Sequence, residues 1–244
     1  MPSKRLIEMM LFSILAVIFL TTLIRSTLGF GNALLAMPLL TLLIGVRQAS
    51  PIVALIGLVI SVLMLLQGWQ SLRWREILAL LLASLPGIVL GLLLLTAVPE
   101  RFVNWILGVV LVGFGIYSLV GIRLPVIKSG WLAVPLGFLA GVLGGAYNTN
   151  GPPIIIYGVF RGWEKDQFRV SLQGFFLISN LLIVAGHGLA GLWTGPVLVI
   201  FLEGILPAAA GVYLGERIAA NIPQKRFDRL VSGFLILMGL AMFL

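Results

Sequence analysis

Long apolar runs separated by short polar segments occupy almost the whole chain. The first run predicts a helix from about Leu6 to Leu28, and the break Gly29-Phe30-Gly31-Asn32 divides it from a segment of about 14 residues, Ala33–Val46. Runs of about 20 apolar residues are long enough to cross the hydrocarbon core of a bilayer. Three such spans are predicted next, at Ala49–Trp69, Ile77–Thr96 and Phe102–Val120.

The second half repeats this order around a polar interruption with the sequence GGAYNTNGPP, from Gly144 to Pro153. Small residues, carboxamides and prolines do not easily continue a helix. Irregular backbone at membrane depth is tolerated only when it is buried in protein or lines a watery cavity. The interruption therefore predicts a binding site. The predicted segments of this half are Trp131–Tyr147, Ile154–Phe160, Phe168–His187, Thr194–Leu214 and Phe227–Leu244.

A fixed spacing supports an internal repeat. The pair Gly31-Asn32 lies 119 residues before Asn150-Gly151, and Ser61 also lies 119 residues before Asn180. We predict an all-α polytopic membrane protein of about 8 to 10 membrane segments. Its two repeats, residues 6–120 and 131–244, each contain a broken helix or hairpin and three spanning helices.

Each break allows two interpretations: a single interrupted helix that crosses the membrane, or a hairpin whose tip lies inside it. Setting Arg25 aside, hairpins divide the basic residues eleven to four between the two sides, whereas interrupted helices divide them nine to six. Cytoplasmic loops carry an excess of Lys and Arg, so the stronger bias favours hairpins. The two repeats then have inverted topology, which is a recurrent arrangement in secondary transporters.

The residues at the breaks suggest an anion site. A helix that begins in mid-membrane directs unpaired N–H groups and a positive dipole end into the cavity. Carboxamides add side-chain donors, although they equally serve as helix caps. Arg25 lies just before the first break, where it either offsets the charge of an anion or extends to the interface. The candidate substrate-binding residues are Arg25, Gly29, Gly31, Asn32, Asn148, Thr149, Asn150 and Gly151.

Three further ionisable residues suggest roles in transport or in structure. Glu203 falls near the centre of a predicted span, where a lone carboxylate needs a partner or a proton. It is a candidate for proton coupling, with a structural hydrogen bond as the alternative. His187, near the end of another span, is the second candidate, and an interfacial structural role is favoured over a proton relay. Arg169 follows the short segment of the second half, and we expect it to fix topology or hold its loop.

Composition limits the function classes. Hydrophobic residues make up 60% of the 244 positions and charged residues 10%, with a mean hydropathy of +1.16, so no part of the sequence predicts a soluble catalytic domain. The absence of cysteine excludes thiolate catalysis and cysteine-based metal sites. We predict no catalytic residues, no metal site and no cofactor. The formal charge of +8 lies in inter-helix loops, which indicates topology rather than nucleic-acid binding.

Three motifs carry a family resemblance: LGFGNALLAMPLL, AGVLGGAYNTNGPPIIIY and FRGWEKDQFR. They resemble the sulfite exporter TauE/SafE family of bacterial inner-membrane transporters, and the resemblance extends over essentially the whole chain. It implies secondary transport of a sulfur-containing anion such as sulfite, a sulfonate or sulfoacetate. The first motif has Asn32 and Ala33 where a glycine triplet is commoner, which affects the expected substrate more than the fold.

Our functional expectation is a secondary transporter in the bacterial inner membrane that exports a small sulfur anion. A passive anion channel and a membrane-embedded enzyme are the alternatives, and the enzyme is disfavoured because the chain lacks the HExxH and GxSxG motifs. The expected partners are the small anion and the lipid bilayer. A homo-oligomer is also compatible with the sequence.

Overall fold

The computed structural model describes residues 4–28, 32–65, 73–121, 125–127, 129–219 and 224–243. Within these residues all regular structure is helical, in agreement with the predicted all-α polytopic class. The helices are α1 (Lys4–Leu28), α2 (Asn32–Ile44), α3 (Val46–Leu65), α4 (Trp74–Ala97), α5 (Glu100–Val120), α6 (Ala133–Tyr147), α7 (Gly151–Phe160), α8 (Lys165–Leu189), α9 (Gly195–Ala219) and α10 (Gln224–Ala241).

Seven stretches of the described residues are long and apolar enough to cross a membrane, and shorter apolar helices accompany them. The short helices α2 and α7 follow the two predicted breaks. α2 begins at Asn32, one residue earlier than predicted, and α7 begins at Gly151, three residues earlier than predicted. The early start of α7 arises because proline is tolerated in the first turn, where the backbone N–H has no helical partner.

At the first break the chain turns back on itself. α1 runs in the same direction as α3, because Ile18 lies at the level of Ile56 and Arg25 at the level of Ser61. α2 runs the opposite way, since it ends at Ile44 immediately before α3 begins. We call α1 and α2 together hairpin 1.

The second break has the same geometry from the other end of the molecule. α6 runs parallel to α4, with Gly137 beside Leu80 and Gly145 beside Ile88. α7 then returns, so that Arg161 just beyond its end reaches Glu76 in the first turn of α4. We call α6 and α7 together hairpin 2. The helix directions therefore agree with the hairpin interpretation at both breaks.

The packing contacts between helices follow the predicted repeat. When α1–α5 are matched in order with α6–α10, each packed pair described below corresponds to another packed pair or to itself. α4 packs along α6, and the matched pair, α9 and α1, also packs together. The α5–α10 and α3–α8 contacts each map onto themselves under the same exchange. The division at residues 6–120 and 131–244 stays a prediction, and this packing pattern supports it.

Glycines bring α4 and α6 into backbone contact. A Cβ added at Gly87 or Gly91 of α4 would collide with the backbone of α6, and one added at Gly141 or Gly145 would collide with that of α4. Close approach of this kind replaces the hydrophobic driving force that helices lack in lipid. Hairpin 2 is therefore packed tightly along α4.

The open end of hairpin 2 is tied to α4 by the Glu76 carboxylate. Arg161 Nη2 lies 3.1 Å from Glu76 Oε1, and the indole N–H of Trp163 donates to Glu76 Oε2 at 2.7 Å. Arg73 Nη1 lies 3.2 Å from Oε1 of the same carboxylate, and Arg73 Nη2 donates to Gln167 of α8 at 2.7 Å. One carboxylate thus joins α4 and the end of hairpin 2, and Arg73 extends the network to α8.

Candidate functional site

The tips of the two hairpins meet beside the middle of α3. They surround a small cavity, in which about 30 Å³ is open to the centres of water molecules, enough for about two waters. α8 supplies the remaining wall. The cavity is lined by Arg25, Asn32, Ala33, Leu34, Asn148, Thr149, Asn150, Gly151, Phe176 and Asn180.

Arg25 is the only charged residue among the described residues that line this cavity. Its side chain is 5% exposed, and its Nη2 donates to Ser61 Oγ at 2.8 Å and to Gln173 Oε1 at 2.9 Å. Its guanidinium carbon lies 5.4 Å from the centre of the Phe176 ring. In the part of the chain that the structure describes, no carboxylate pairs with Arg25. The cavity therefore has a net positive charge.

Donor nitrogens converge on Gly57 of α3. A Cβ added to this glycine would lie 3.1 Å from Nδ2 of Asn148, 3.1 Å from Nδ2 of Asn180 and 3.7 Å from Nη1 of Arg25. The three nitrogens belong to hairpin 2, α8 and hairpin 1 respectively. A glycine here leaves the space that the three side chains need, and donors grouped around one point suit the oxygens of an anion.

The tip of hairpin 2 is held by its own backbone and by α3 and α8. Asn148 adopts the left-handed conformation with φ 53°, which asparagine tolerates better than most residues, and its Nδ2 donates to Val53 O at 3.2 Å. Asn150 Nδ2 donates to Ser179 Oγ at 2.9 Å, and Thr149 Oγ1 contacts Leu143 O at 3.4 Å. These bonds hold the two asparagines at the cavity wall.

The tip of hairpin 1 presents the start of a helix. Asn32, Ala33 and Leu34 form the first turn of α2 and line the cavity. The first N–H groups of a helix lack partners and carry partial positive charge, so they add to the field of Arg25. The start of α7 contributes less because Pro152 and Pro153 have no N–H to donate.

Several cavity residues have polar atoms without partners. Oδ1 of Asn32, Asn148 and Asn180 and Nε of Arg25 are buried and make no hydrogen bond. The four side chains are between 2% and 5% exposed. Buried polar groups in folded proteins are nearly always paired. Four of the eight buried side-chain atoms that lack a partner in the described residues belong to this one cavity, which fits a place where a ligand completes the hydrogen bonding.

The structure brings together six of the predicted binding residues and separates the proton-coupling candidates from them. Arg25, Asn32, Asn148, Thr149, Asn150 and Gly151 all line the cavity. Gly29 and Gly31 lie outside the described residues, as does the Arg169 side chain.

Neither Glu203 nor His187 lines the cavity. Glu203 is exposed on the outer face of α9, while the adjacent Gly204 packs toward Ile18 and Ile56. His187 is buried, and its Nε2 lies 3.2 Å from Gly145 O, which links α8 to hairpin 2. This bond fits the structural alternative for His187, and the coupling role of both residues stays a prediction.

Sequence reasoning missed the contribution of α8. Phe176 and Asn180 line the cavity, and Gln173 binds Arg25 from the same helix. Residues spaced three or four apart share one face of a helix, so these side chains form a single stripe. Polar residues inside an apolar span are costly, and Gln173 and Asn180 could have been identified by that signal.

Comparison with known proteins agrees with this architecture. The family model described as Sulfite exporter TauE/SafE matches residues 14–242. The probable inner membrane transporter protein TsaS of Comamonas testosteroni is 26% identical over 177 residues, which cover 72% of this chain and 74% of that protein. No solved structure matches the chain. The chain is thus a multi-pass membrane protein, and its relative's location agrees with the predicted inner membrane.

Proposed function

Because this chain belongs to the sulfite exporter TauE/SafE family, we propose that it is a secondary transporter of a small sulfur-containing anion, bound where hairpins 1 and 2 meet. The family is one of transporters, which supports the expectation that the chain is not an enzyme. The direction of transport that we propose is export, and the proton gradient is the proposed driving force.

The observation that carries this proposal is the buried guanidinium of Arg25. A charge removed from water costs several kcal/mol unless an opposite charge compensates it, and the partners of Arg25 are the neutral Ser61 and Gln173. A bound anion would supply the missing charge. The nitrogens of Asn148 and Asn180 around Gly57 would then share the anion's oxygens with Arg25.

We propose the orientation from the charges of the loops. The hairpin interpretation predicts that the eleven-residue basic set shares the side of the start of α4 and the open end of hairpin 2, and the positive-inside rule assigns that side to the cytoplasm. Both termini are then outside. Single cysteines introduced near each terminus should react with an impermeant thiol reagent in intact cells, and labelling only after lysis would reverse the assignment. The basic set is Arg73, Arg75, Arg123, Lys128, Arg161, Lys165, Arg169, Arg217, Lys225, Arg226 and Arg229.

Anion flux in proteoliposomes tests the function directly. Sulfite, sulfoacetate, taurine, sulfate and thiosulfate would be compared with and without an imposed pH gradient. The variants are Arg25→Gln and Asn150→Ala. The matched control is Arg101→Gln, because Arg101 is exposed, stacks on Trp105 at 4.8 Å and is not among the residues that line the cavity.

We expect the gradient to drive one sulfur anion uphill, with flux lost in both site variants and kept in the control. Downhill flux that no gradient can drive uphill would identify a passive channel instead. Flux that survives Arg25→Gln unchanged would move the site away from the hairpin tips. The absence of flux for every anion in the wild type would overturn the sulfur-anion assignment.

A further inference from the structure

We infer that the site selects a singly charged oxyanion that also carries an O–H or N–H donor, such as hydrogensulfite or a hydroxy-substituted sulfonate. This inference rests on the proposed function, because it specifies the ligand of the same cavity. It follows from two independent features of the site, its total charge and its unpaired acceptors.

The charge of the cavity matches one negative charge. Arg25 is the single cation among the described lining residues, and the other polar side chains are carboxamides and a threonine. A monoanion makes the loaded site neutral. A dianion such as sulfoacetate would leave one uncompensated negative charge between the helices, where burial of a charge is strongly unfavourable. The site is therefore built to prefer the singly charged form.

The unpaired acceptors require a donor on the ligand. Oδ1 of Asn32, Asn148 and Asn180 all lack partners, and each of these residues lines the cavity. The orientation of Asn148 is fixed because its Nδ2 donates to Val53 O at 3.2 Å. An anion that only accepts hydrogen bonds would occupy the donors of Arg25 and the amides and leave every one of these oxygens unpaired. An O–H or N–H group on the ligand would pair at least one of them.

A matched pair of sulfonates isolates the donor. Ethanesulfonate and 2-hydroxyethanesulfonate carry the same single charge and differ by one hydroxyl group. The affinity of each for the purified full chain in lipid nanodiscs would be measured by the ligand-induced rise in unfolding temperature, with sulfoacetate as the dianion. Leaving a buried acceptor unpaired costs enough to change affinity by about tenfold.

We expect the hydroxylated sulfonate to bind about tenfold more tightly than ethanesulfonate and also more tightly than sulfoacetate. Asn180→Ala should weaken binding of the hydroxylated sulfonate more than that of ethanesulfonate, so that the hydroxyl preference falls toward unity. Asn32→Ala provides the same test at a second acceptor if the first variant does not fold. Both residues lie in helical segments rather than at the left-handed Asn148.

The outcomes separate the inference from the proposed function. Equal binding of the two monoanions, or tighter binding of sulfoacetate, would overturn the inference while the site still binds sulfur anions. A hydroxyl preference that survives Asn32→Ala, Asn180→Ala and Asn148→Gly would also overturn it, since none of the three unpaired asparagine oxygens would then be the acceptor. If neither the three sulfonates nor sulfite bind the wild-type protein, the proposed function fails and the inference fails with it.

Discussion

Hairpin 1 and hairpin 2 enter one cavity from opposite ends of the molecule, and different chemistry holds each of them in place. Hairpin 2 packs on α4 through glycines on both helices, and Glu76 ties its open end. Hairpin 1 also packs at glycines, Gly211 and Gly215 of α9, but hydroxyl groups add to this contact: Ser26 Oγ donates to Gly211 O at 3.1 Å and Thr27 Oγ1 donates to Gly215 O at 3.2 Å. The charged residue of the site belongs to hairpin 1.

This difference gives the two hairpins unequal contributions to the proposed site. Hairpin 2 contributes neutral carboxamides on a tip fixed by Tyr147, whose hydroxyl donates to Val103 O at 2.7 Å, and by Ser50, which donates to Ala146 O at 2.9 Å. Hairpin 1 contributes the guanidinium of Arg25, which is held by side-chain bonds to α3 and α8. The two hairpins therefore divide the neutral and the charged parts of the site.

The largest expected effect comes from breaking the glycine contact of hairpin 2. Gly141→Ala places a methyl group against the backbone of Ser84 and Ile88, where no side chain can move aside. Overpacking of this kind costs about 1–3 kcal/mol of folding free energy. Thermal unfolding of the purified protein should show this loss, and Gly113→Ala is the control because nothing lies within 4 Å of its added Cβ.

A glycine-to-alanine substitution in α9, the helix against which hairpin 1 packs, sharpens the comparison. The Cβ of Gly211→Ala would lie 2.8 Å from Phe19 O and 3.0 Å from the Thr22 Cβ, a tight contact but a less severe one than at Gly141. We expect a smaller loss of stability than for Gly141→Ala. Equal losses would contradict the view that hairpin 2 is the more closely packed of the two.

The next effect in size concerns the open end of hairpin 2. Glu76→Gln removes the charge that pairs with Arg73 and Arg161 but keeps a group of the same shape. The side chains of Glu76 and Arg161 are only 15% and 18% exposed, so we expect a loss of about 1 kcal/mol, at the upper end for partly exposed pairs. The unfolding temperature at low and high salt measures it.

The salt dependence supplies the control for that experiment. Ions screen the wild-type pairs and leave the neutral variant largely unaffected, so the gap between wild type and Glu76→Gln should narrow as salt increases. A gap that does not change with salt would mean that the carboxylate stabilises hairpin 2 by packing or neutral hydrogen bonding alone.

A smaller effect is expected where hairpin 1 meets α3. Ser61→Ala removes one hydrogen bond from Arg25 and leaves the bond to Gln173. Because the guanidinium keeps one anchor and its charge, we expect anion affinity to fall by about fivefold, which corresponds to about 1 kcal/mol. Binding of the transported anion measures this change. An affinity as low as that of Arg25→Gln would show that Ser61 itself contacts the anion.

The sequence was most informative where a residue was out of place in an apolar run. Asn32, Asn148 and Asn150 are polar at membrane depth, and this alone placed them among the binding candidates that the structure brings to the cavity. The charge bias of the loops indicated hairpins, and the helix directions agree. Helix length alone could not have distinguished a hairpin from a crossing helix, because α1 by itself is long enough to be counted as a span.

The rest of the site depends on how distant helices meet. Phe176 is an ordinary apolar residue of a span, and only the packing of α8 against the hairpin tips places it beside Arg25. Gly57 is likewise one glycine among 29, and its role follows from the three nitrogens around it. Glu203 is the opposite case. Its mid-span position made it a candidate for proton coupling, and the structure leaves its side chain exposed and away from the residues that line the cavity.

The smallest expected effect separates the hydroxyl contacts of hairpin 1 from packing. Thr27→Val keeps the shape of the side chain and removes its bonds to Leu23 O at 2.8 Å and Gly215 O at 3.2 Å. Interhelical hydrogen bonds inside membranes contribute about 0.6 kcal/mol on average, and both carbonyls lie in helices, so we expect a loss of that size or less in thermal unfolding. Tyr147→Phe is the counterpart on hairpin 2, since it removes one hydroxyl bond to Val103 O. If Thr27→Val destabilises the protein more than Gly141→Ala does, hydrogen bonding rather than glycine packing would be the stronger attachment, and the contrast between the two hairpins would have to be reversed.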